Sequence, residues 1–515
     1  QPTVSSRVPR LTHPQWSSTV RDLFHQDTPS EASRDFDLDI ASNGDFTTSH
    51  RRLFMTAGLW RDYQRAVEEV AEQMTADDAI NDWLPAAPSD AATRDAFIAE
   101  FGLRAYRRPL TSNQVSRLAE LYEEGETHFP TLDRNVAGVR LVLEAMLQSP
   151  YFVYRVELSE RPASGEDELI EVDAYELASR LSYLIWGSMP DDTLFAAAAG
   201  GFDEAQLVEQ ATRMFDDPRA IDMFQGFHDE HFNMKSWSDI VKEDVVFPNW
   251  RPGLGEDMLR ETRALLADVV ENNGNFRDFL MSKKAWVNED LARIYGLEGI
   301  TGDDFREVEL GENRVGLLTR LGFLTYQSSQ RDPDPIHRGL FVNINVLCRN
   351  VPPAPDIDLD ELMLEGDTNR ERVESVTHVG VCQNCHLQMI NPPGFALEGF
   401  DAIGEERELD NGIPVDTTTT FTFADGTAAT VSSGVELSEA VAGNVDSHAC
   451  YTTHLLEYVF GRSTFGGDSP LLYRMTQGSM ENMSIRDMLL QMVTSRTFRL
   501  RHGEELATTE MEESP

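Results

Sequence analysis

The stretch LFMTAGLWRDYQRAVEEVAEQM, Leu53 to Met74, decides the fold class. Phe54, Ala57, Trp60, Tyr63, Val67, Val70 and Met74 recur at steps of three and four, so they share one stripe of a helix. The same periodicity returns near 91–106, 112–126, 134–149, 173–187, 256–272 and 314–326, and again near 447–461 and 484–496. Clusters such as Pro85-Ala86-Ala87-Pro88 and Ala199-Gly200-Gly201 punctuate it. The chain therefore reads as mainly α, a multidomain helical body followed by a smaller α module. One segment breaks the pattern. Thr417–Phe423 and Thr427–Val431 flank Asp425-Gly426, which predicts a small β hairpin inserted at about 411–435.

At 515 residues the chain exceeds one ordinary core, and two to four domains are expected. The segments read as 1–80, 81–160 and 161–305, all helical, then 306–500 with the β insertion, then a disordered tail at 501–515. Val351-Pro352-Pro353-Ala354-Pro355 and the acidic run from Asp356 to Asp367 form the best linker. Acidic residues number 88 against 44 basic ones, a formal net charge of -44. That charge opposes nucleic acid and anionic membranes as partners. It is spread along the chain, as on a heavily solvated acidic surface; an acidic docking face for a basic partner is the sharper alternative. No run of 18 apolar residues predicts a membrane span. Gln1-Pro2-Thr3 does not open a signal peptide, so the protein is expected to be cytosolic or to have lost a leader already.

The chemistry concentrates in VCQNCHLQM, Val381 to Met389, which holds two of only four cysteines. Three uses compete for Cys382-x-x-Cys385-His386. A zinc site needs two further spaced ligands, and the other cysteines stand alone. A thioredoxin-like pair expects a βαβ setting, which the surroundings lack. A covalent c-type haem needs two thiols on one helical turn for the vinyl groups and a histidine directly after them for the iron. If Cys382 and Cys385 hold haem, Cys348 and Cys450 remain on either side. They either form a disulfide closing a loop of about 100 residues, roughly 4–5 kcal/mol in the chain-entropy description, or stay as two buried thiols. Haem c and a disulfide both fit an oxidising compartment.

With these residues in view the chain resembles the secreted multidomain monohaem cytochromes of planctomycetes and myxobacteria. The resemblance runs through Arg10-Leu11-Thr12 with Thr19-Val20-Arg21-Asp22-Leu23, FGLRAYRRPLT from Phe101, LQSPYFVYRVEL from Leu147 and YELASRLSYLIWGSMPDDTL from Tyr175. It continues through RVGLLTRLGFLT from Arg314, PIHRG from Pro335, CQNCHLQMINPPGFALEGFDAIGEER from Cys382 and YVFGR from Tyr458. It departs at two places. Relatives carry a cysteine pair before the FGLRAYRRPLT element, where Ala86 to Ile98 has none, and Asp where this chain has Asn391. The resemblance implies a cytochrome c-like module over 306–500 with one covalent haem c. Cys382 and Cys385 would be the attachment points and His386 the proximal iron ligand.

The sixth ligand would decide between a closed electron carrier and an open peroxide-handling site. Methionines well after the motif, Met475, Met480, Met483, Met488 and Met492, are placed to reach the iron; Met480 and Met483, in a looser stretch before the last helix, are the distal candidates, Met488 and Met492 read as core, and Met389 sits too near His386. His378, four residues before Cys382, would touch the haem edge or a propionate, or cap its helix. Arg338 would pair with a propionate, or bridge the two halves of the protein through carboxylates. Glu398 and His337 are the acid–base candidates for peroxide chemistry, Glu398 by analogy with bacterial cytochrome c peroxidase-like proteins. His448 and His454 read as exposed or structural.

Other motifs carry less. His228-Asp229-Glu230-His231 matches neither zinc-protease order and reads as a solvated helix face. Asp356-x-Asp358-x-Asp360 starts like a calcium loop but has Glu361 at the turn and Asp367 at the end. The arginines of Arg104 to Pro109 read as internal ion-pair partners. The expectation is a secreted, periplasmic or cell-surface redox protein that serves a redox partner protein or a small oxidant, by electron transfer or peroxide reduction. The alternative is a cell-surface binding or matrix/filament assembly protein in which the haem module is an accessory.

Overall fold

The structure, a computed structural model, describes residues 8–39, 46–76, 79–84, 86–163, 166–353 and 364–502, excepting the side chains of 166–168 and 502. It is mainly α. Among the described residues the strands form one three-stranded ribbon and three two-stranded pairs. Asp356 to Met363 of the acidic linker, with its calcium-like start, and most of the expected tail lie outside the described residues.

The chain gathers into two compact units. One comprises 1–223, 456–469 and 490–515; the other comprises 224–455 and 470–489. They do not follow the expected division near 305. The reason lies in the helix Leu254–Glu271, whose Leu254 and Met258 share a core with Ala285, Val287, Leu321, Ala402 and Ile403. That apolar face draws residues from both sides of the supposed boundary into one unit.

In the first unit, the helix Ala57–Met74 starts after Thr56, whose hydroxyl accepts from the Leu59 amide at 3.0 Å. Leu59, Tyr63, Ala66, Val67, Val70 and Ala71 face the core. Phe54 lies before the cap and is 69% exposed, and Ala57 is exposed as well, so the stripe begins later than the periodicity predicts. The helix Ala91–Tyr106 ends at Arg107 in the left-handed region, φ 59°. The buried Arg107 guanidinium donates to the carbonyls of Tyr151, Phe152 and Tyr154 at 2.6–2.9 Å. Arg104 pairs with Asp192 at 2.8 Å. The strand Leu500–His502 returns to pair antiparallel with Glu166–Glu171.

In the second unit, the pattern near 314–326 is not one helix. Gly316 has φ 48°, and a Cβ there would lie 1.9 Å from the Leu280 carbonyl oxygen. The chain therefore splits into a short 3-10 turn, Leu317–Thr319, and the helix Leu321–Tyr326. The expected hairpin is present: Thr419–Thr422 pairs with Ala428–Val431, and Gly426 takes φ 85° in the connection.

Candidate functional site

The CxxCH segment is held by two short helices that approach backbone to backbone. Pro335–Phe341 and Asn391–Phe395 meet at Gly339 and Gly394. A Cβ on Gly339 would fall 1.8 Å from the Ile390 carbonyl oxygen, and one on Gly394 would fall 1.8 Å from that of Pro335. Only glycine allows this approach. Two widened π turns flank the contact, Val342–Val346 and His386–Ile390. The buried Asn343 amide ties them together, donating to Gly339 O at 2.7 Å and Met389 O at 2.8 Å.

On this frame Cys382, Cys385 and His386 occupy one helical turn. The His386 and Cys385 amides donate to Cys382 O at 3.1 and 3.2 Å. Both thiols are half-buried and unbonded to each other. Asn391 holds His386 twice: its amide donates to His386 O in the π turn, and its Oδ1 lies 2.8 Å from His386 Nδ1. The hydrogen-bond network fixes the direction of that second bond. The Thr377 hydroxyl donates to Val373 O at 2.6 Å, so it accepts from Asn391 Nδ2 at 2.8 Å. Asn391 Oδ1 then faces His386, which donates from Nδ1 and keeps the lone pair on Nε2. Around the turn Val379, Val381 and Leu387 are 49%, 56% and 45% exposed. A free imidazole nitrogen, two reduced thiols and an apolar rim suit a flat apolar cofactor with thioether links and a metal at its centre.

The other predicted residues fall elsewhere. Arg338 is fully buried and is a correction to the propionate reading. Its Nη1 donates to Leu397 O and Phe400 O, and its Nη2 to Leu324 O, Asp401 O and Ser328 Oγ, at 2.7–3.1 Å. It locks the chain that follows the CxxCH helix and has no terminal nitrogen left for a ligand. Nor does it bridge carboxylates, since its acceptors are carbonyls and a hydroxyl. Glu398 is also closed off, 1% exposed, bonded to Arg407 at 2.8 Å and Asn369 at 3.2 Å. Burial pushes its carboxyl up, with Arg407 and Arg338 opposing. A carboxylate so enclosed has no path to a peroxide. His337 is 66% exposed at its side chain and bonds Asp334 at 2.5 Å, which raises the imidazole. Lys242, beside Arg338, donates to the carbonyls of Thr325, Ser328 and Ser329, and burial, then Arg338, push it down to about 7.

His378 caps the helix Asn369–Thr377, and its Nε2 is buried without a hydrogen-bond partner among the described residues. Met480 ends the helix Ser469–Met480 and is 36% exposed. Met483 folds back over Gly478. Thr476 and Ser479 of that helix bond Thr452 and His448 at 3.0 and 2.7 Å, so the helix Val445–Phe460 sets the position of both methionines.

Cys348 and Cys450 form a disulfide. It lines an open cleft of about 520 Å³ together with Arg349, Met389, Ala424 and Asp446. Behind it lies a histidine cluster that the sequence misreads as a solvated face. His228 is fully buried and His231 and Asp229 nearly so. His228 donates from Nδ1 to Phe224 O at 2.7 Å and meets Tyr451 Oη at 3.3 Å through Nε2. The His231 and His454 rings lie 4.7 Å apart. Burial lowers His228 to about 4 and lowers His231 as well. The local sequence looks polar, but aromatic partners from distant segments, Phe279 and Tyr451, enclose it.

Asn391 and Asn343 are the residues that motif reading missed as functional. The only sequence signal for Asn391 is its place five residues after His386, where relatives are expected to carry Asp.

Four families match the chain in order, each described as a protein of unknown function. They are PSD3 (DUF1587) over residues 9–76, PSD5 (DUF1595) over 93–157, PSD4 (DUF1592) over 172–297 and PSCyt3 (DUF1588) over 314–410. The last match contains the CxxCH turn. As an ordered set they support the planctomycete-type, cytochrome-associated family. No curated protein and no solved structure matches the chain.

Proposed function

We propose that this protein is a c-type cytochrome that carries one haem c and transfers electrons in an oxidising compartment outside the cytoplasm. The observation that carries this reading is the His386–Asn391 bond beside two unbonded thiols on the same turn. Cys382 and Cys385 would hold the haem through thioethers, and His386 would bind through Nε2. When bound, haem supplies a one-electron couple whose potential responds to its axial ligand and burial.

The chain's own residues do the rest. Asn391 holds the imidazole in one tautomer and one orientation through the bond to Nδ1. Thr377 fixes Asn391 in turn. The exposed Val379, Val381 and Leu387 would offer the haem an apolar rim beside the attachment turn. His378, with a buried nitrogen that has no hydrogen-bond partner among the described residues, is the candidate for the haem edge or a propionate. The enclosure of Glu398 by Arg407 and Asn369 supports electron transfer over peroxide reduction, because proton shuttling at the oxygen needs a group that can reach it. Met480 and Met483 remain the proposed sixth ligands.

The test is denaturing electrophoresis of the secreted protein with haem staining. Covalent haem is expected, and Cys382→Ala with Cys385→Ala should abolish it. Haem that stays with the double variant after denaturation would sink the assignment. A reduced spectrum that ignores carbon monoxide supports electron transfer; immediate carbon monoxide binding would move peroxide chemistry forward.

A further inference from the structure

The Cys348–Cys450 disulfide is placed differently from a buried structural cross-link. Cys348 is exposed, opens onto the cleft, and has φ 49°, in the left-handed region that a β-carbon disfavours. Cys450 is 2% exposed on the helix Val445–Phe460, one turn before His454. The two sulfurs and one ring nitrogen of His454 all lie within 4.8 Å of one another. His231 packs on His454, and its own carbonyl is held by the Asn345 amide at 2.7 Å. Two sulfurs and an imidazole at this separation are the donors of a soft-metal site, lacking only the reduction that would make the sulfurs thiolates.

We infer that Cys348, Cys450 and His454 form a redox-gated binding site for a d10 cation, Zn²⁺ or Cu⁺, which is closed while the disulfide stands and opens when it is reduced. The chemistry balances with a dithiol as reductant. Its thiolate attacks the exposed Cys348 sulfur, and Cys450 leaves as a thiolate. The second thiol of the reductant then displaces Cys348, so the reductant departs as its own disulfide. Its two electrons and two protons stay on Cys348 and Cys450. The cation displaces both protons and binds two thiolates and the His454 nitrogen, with a fourth position open to the cleft. The cleft gives the reductant its route to Cys348. The inference does not rest on the haem assignment, since it uses none of Cys382, Cys385 or His386.

The experiment uses the full chain. Free thiols are first alkylated in the oxidised protein, which removes Cys382 and Cys385 as competing ligands whether or not haem holds them. The protein is then treated with dithiothreitol without denaturant, freed of it by gel filtration under argon, and dialysed against Zn²⁺ in one arm and Cu⁺ in the other. Bound metal is read by elemental mass spectrometry, with iron followed separately. The reduced chain should bind one cation and the oxidised chain none; the two arms tell which cation is preferred. His454→Gln should weaken binding about 100-fold, the upper end of what loss of even an outer-shell partner costs, while two thiols still appear on reduction. A disulfide that resists native reduction, equal metal in both redox states, or undiminished affinity in His454→Gln would each overturn the proposal.

Discussion

His386 Nδ1 lies 2.8 Å from Asn391 Oδ1, and Asn391 is fully buried. The bond sets which imidazole nitrogen faces outward, and it makes Asn391 the point at which the protein tunes that nitrogen. In Asn391→Asp a carboxylate would pull harder on the Nδ1 proton and make Nε2 a stronger donor. Thr377 would turn its hydroxyl from Val373 O toward the new anion. The expected result is retained covalent haem with a lower midpoint potential in a redox titration. Asn391→Leu should keep the thioethers but loosen the axial bond by about 10–100-fold, seen as ready displacement by added imidazole. An unchanged potential in Asn391→Asp would remove Asn391 from this role.

The same segment depends on the Gly339–Gly394 contact. Alanine at either position drives a methyl group into a backbone carbonyl 1.8 Å away, so the helices must part. The expected cost is about 1–3 kcal/mol, the usual range for overpacking, measured by urea unfolding. Because Ile390 ends the π turn that begins at His386, Gly339→Ala should also lower haem incorporation on stained gels. Full incorporation with native stability would show that the contact can be relaxed without effect.

Much of this was readable in the chain and part was not, for definable reasons. Ala91–Tyr106 lies where its periodicity predicts, because Asp90 supplies a local cap and Phe97, Ile98, Phe101 and Ala105 form one buried stripe. The turn with Cys382 and Cys385 is equally local. Arg338 and Glu398 read differently in sequence because their enclosure needs distant partners, Leu397, Phe400 and Asp401 for the one and Asn369 for the other, and a charged residue quoted alone reads as available for a ligand. His228 and His231 failed for the same cause: HDEH is polar in sequence, and only long-range packing against Phe279 and Tyr451 makes it interior. The helix expected over 314–326 failed at Gly316, whose positive φ leaves no mark on the apolar period.

Arg338 offers a stability prediction. Its two terminal nitrogens serve four carbonyls and Ser328. Arg338→Ala would strip several buried acceptors at once, at a cost of about 3–5 kcal/mol. Arg338→Lys should recover only part of this, since an ammonium cannot span the planar fork. Denaturant midpoints of the two variants check the order. If lysine restores wild-type stability, the carbonyl lock is unnecessary.

The buried histidines predict how stability depends on pH. Burial lowers His228 to about 4 in the folded protein, against about 6.5 for an ordinary histidine. Between these values the unfolded chain binds the extra proton and the folded one does not. The neutral ring's contribution is therefore intact above about pH 6.5 and is lost as pH falls toward 4. For His228 alone the loss is about 3 kcal/mol over that interval. His231 shifts in the same direction and adds to the slope. His228→Gln removes one titrating group while keeping a polar side chain near Phe224 O and Tyr451 Oη. The variant should be somewhat less stable than wild type at pH 7 and should lose less on acidification. Urea unfolding at pH 7, 5.5 and 4.5 reads both slopes. Parallel slopes would mean that His228 is not the group resisting protonation, and the acid sensitivity would have to come from elsewhere in the cluster.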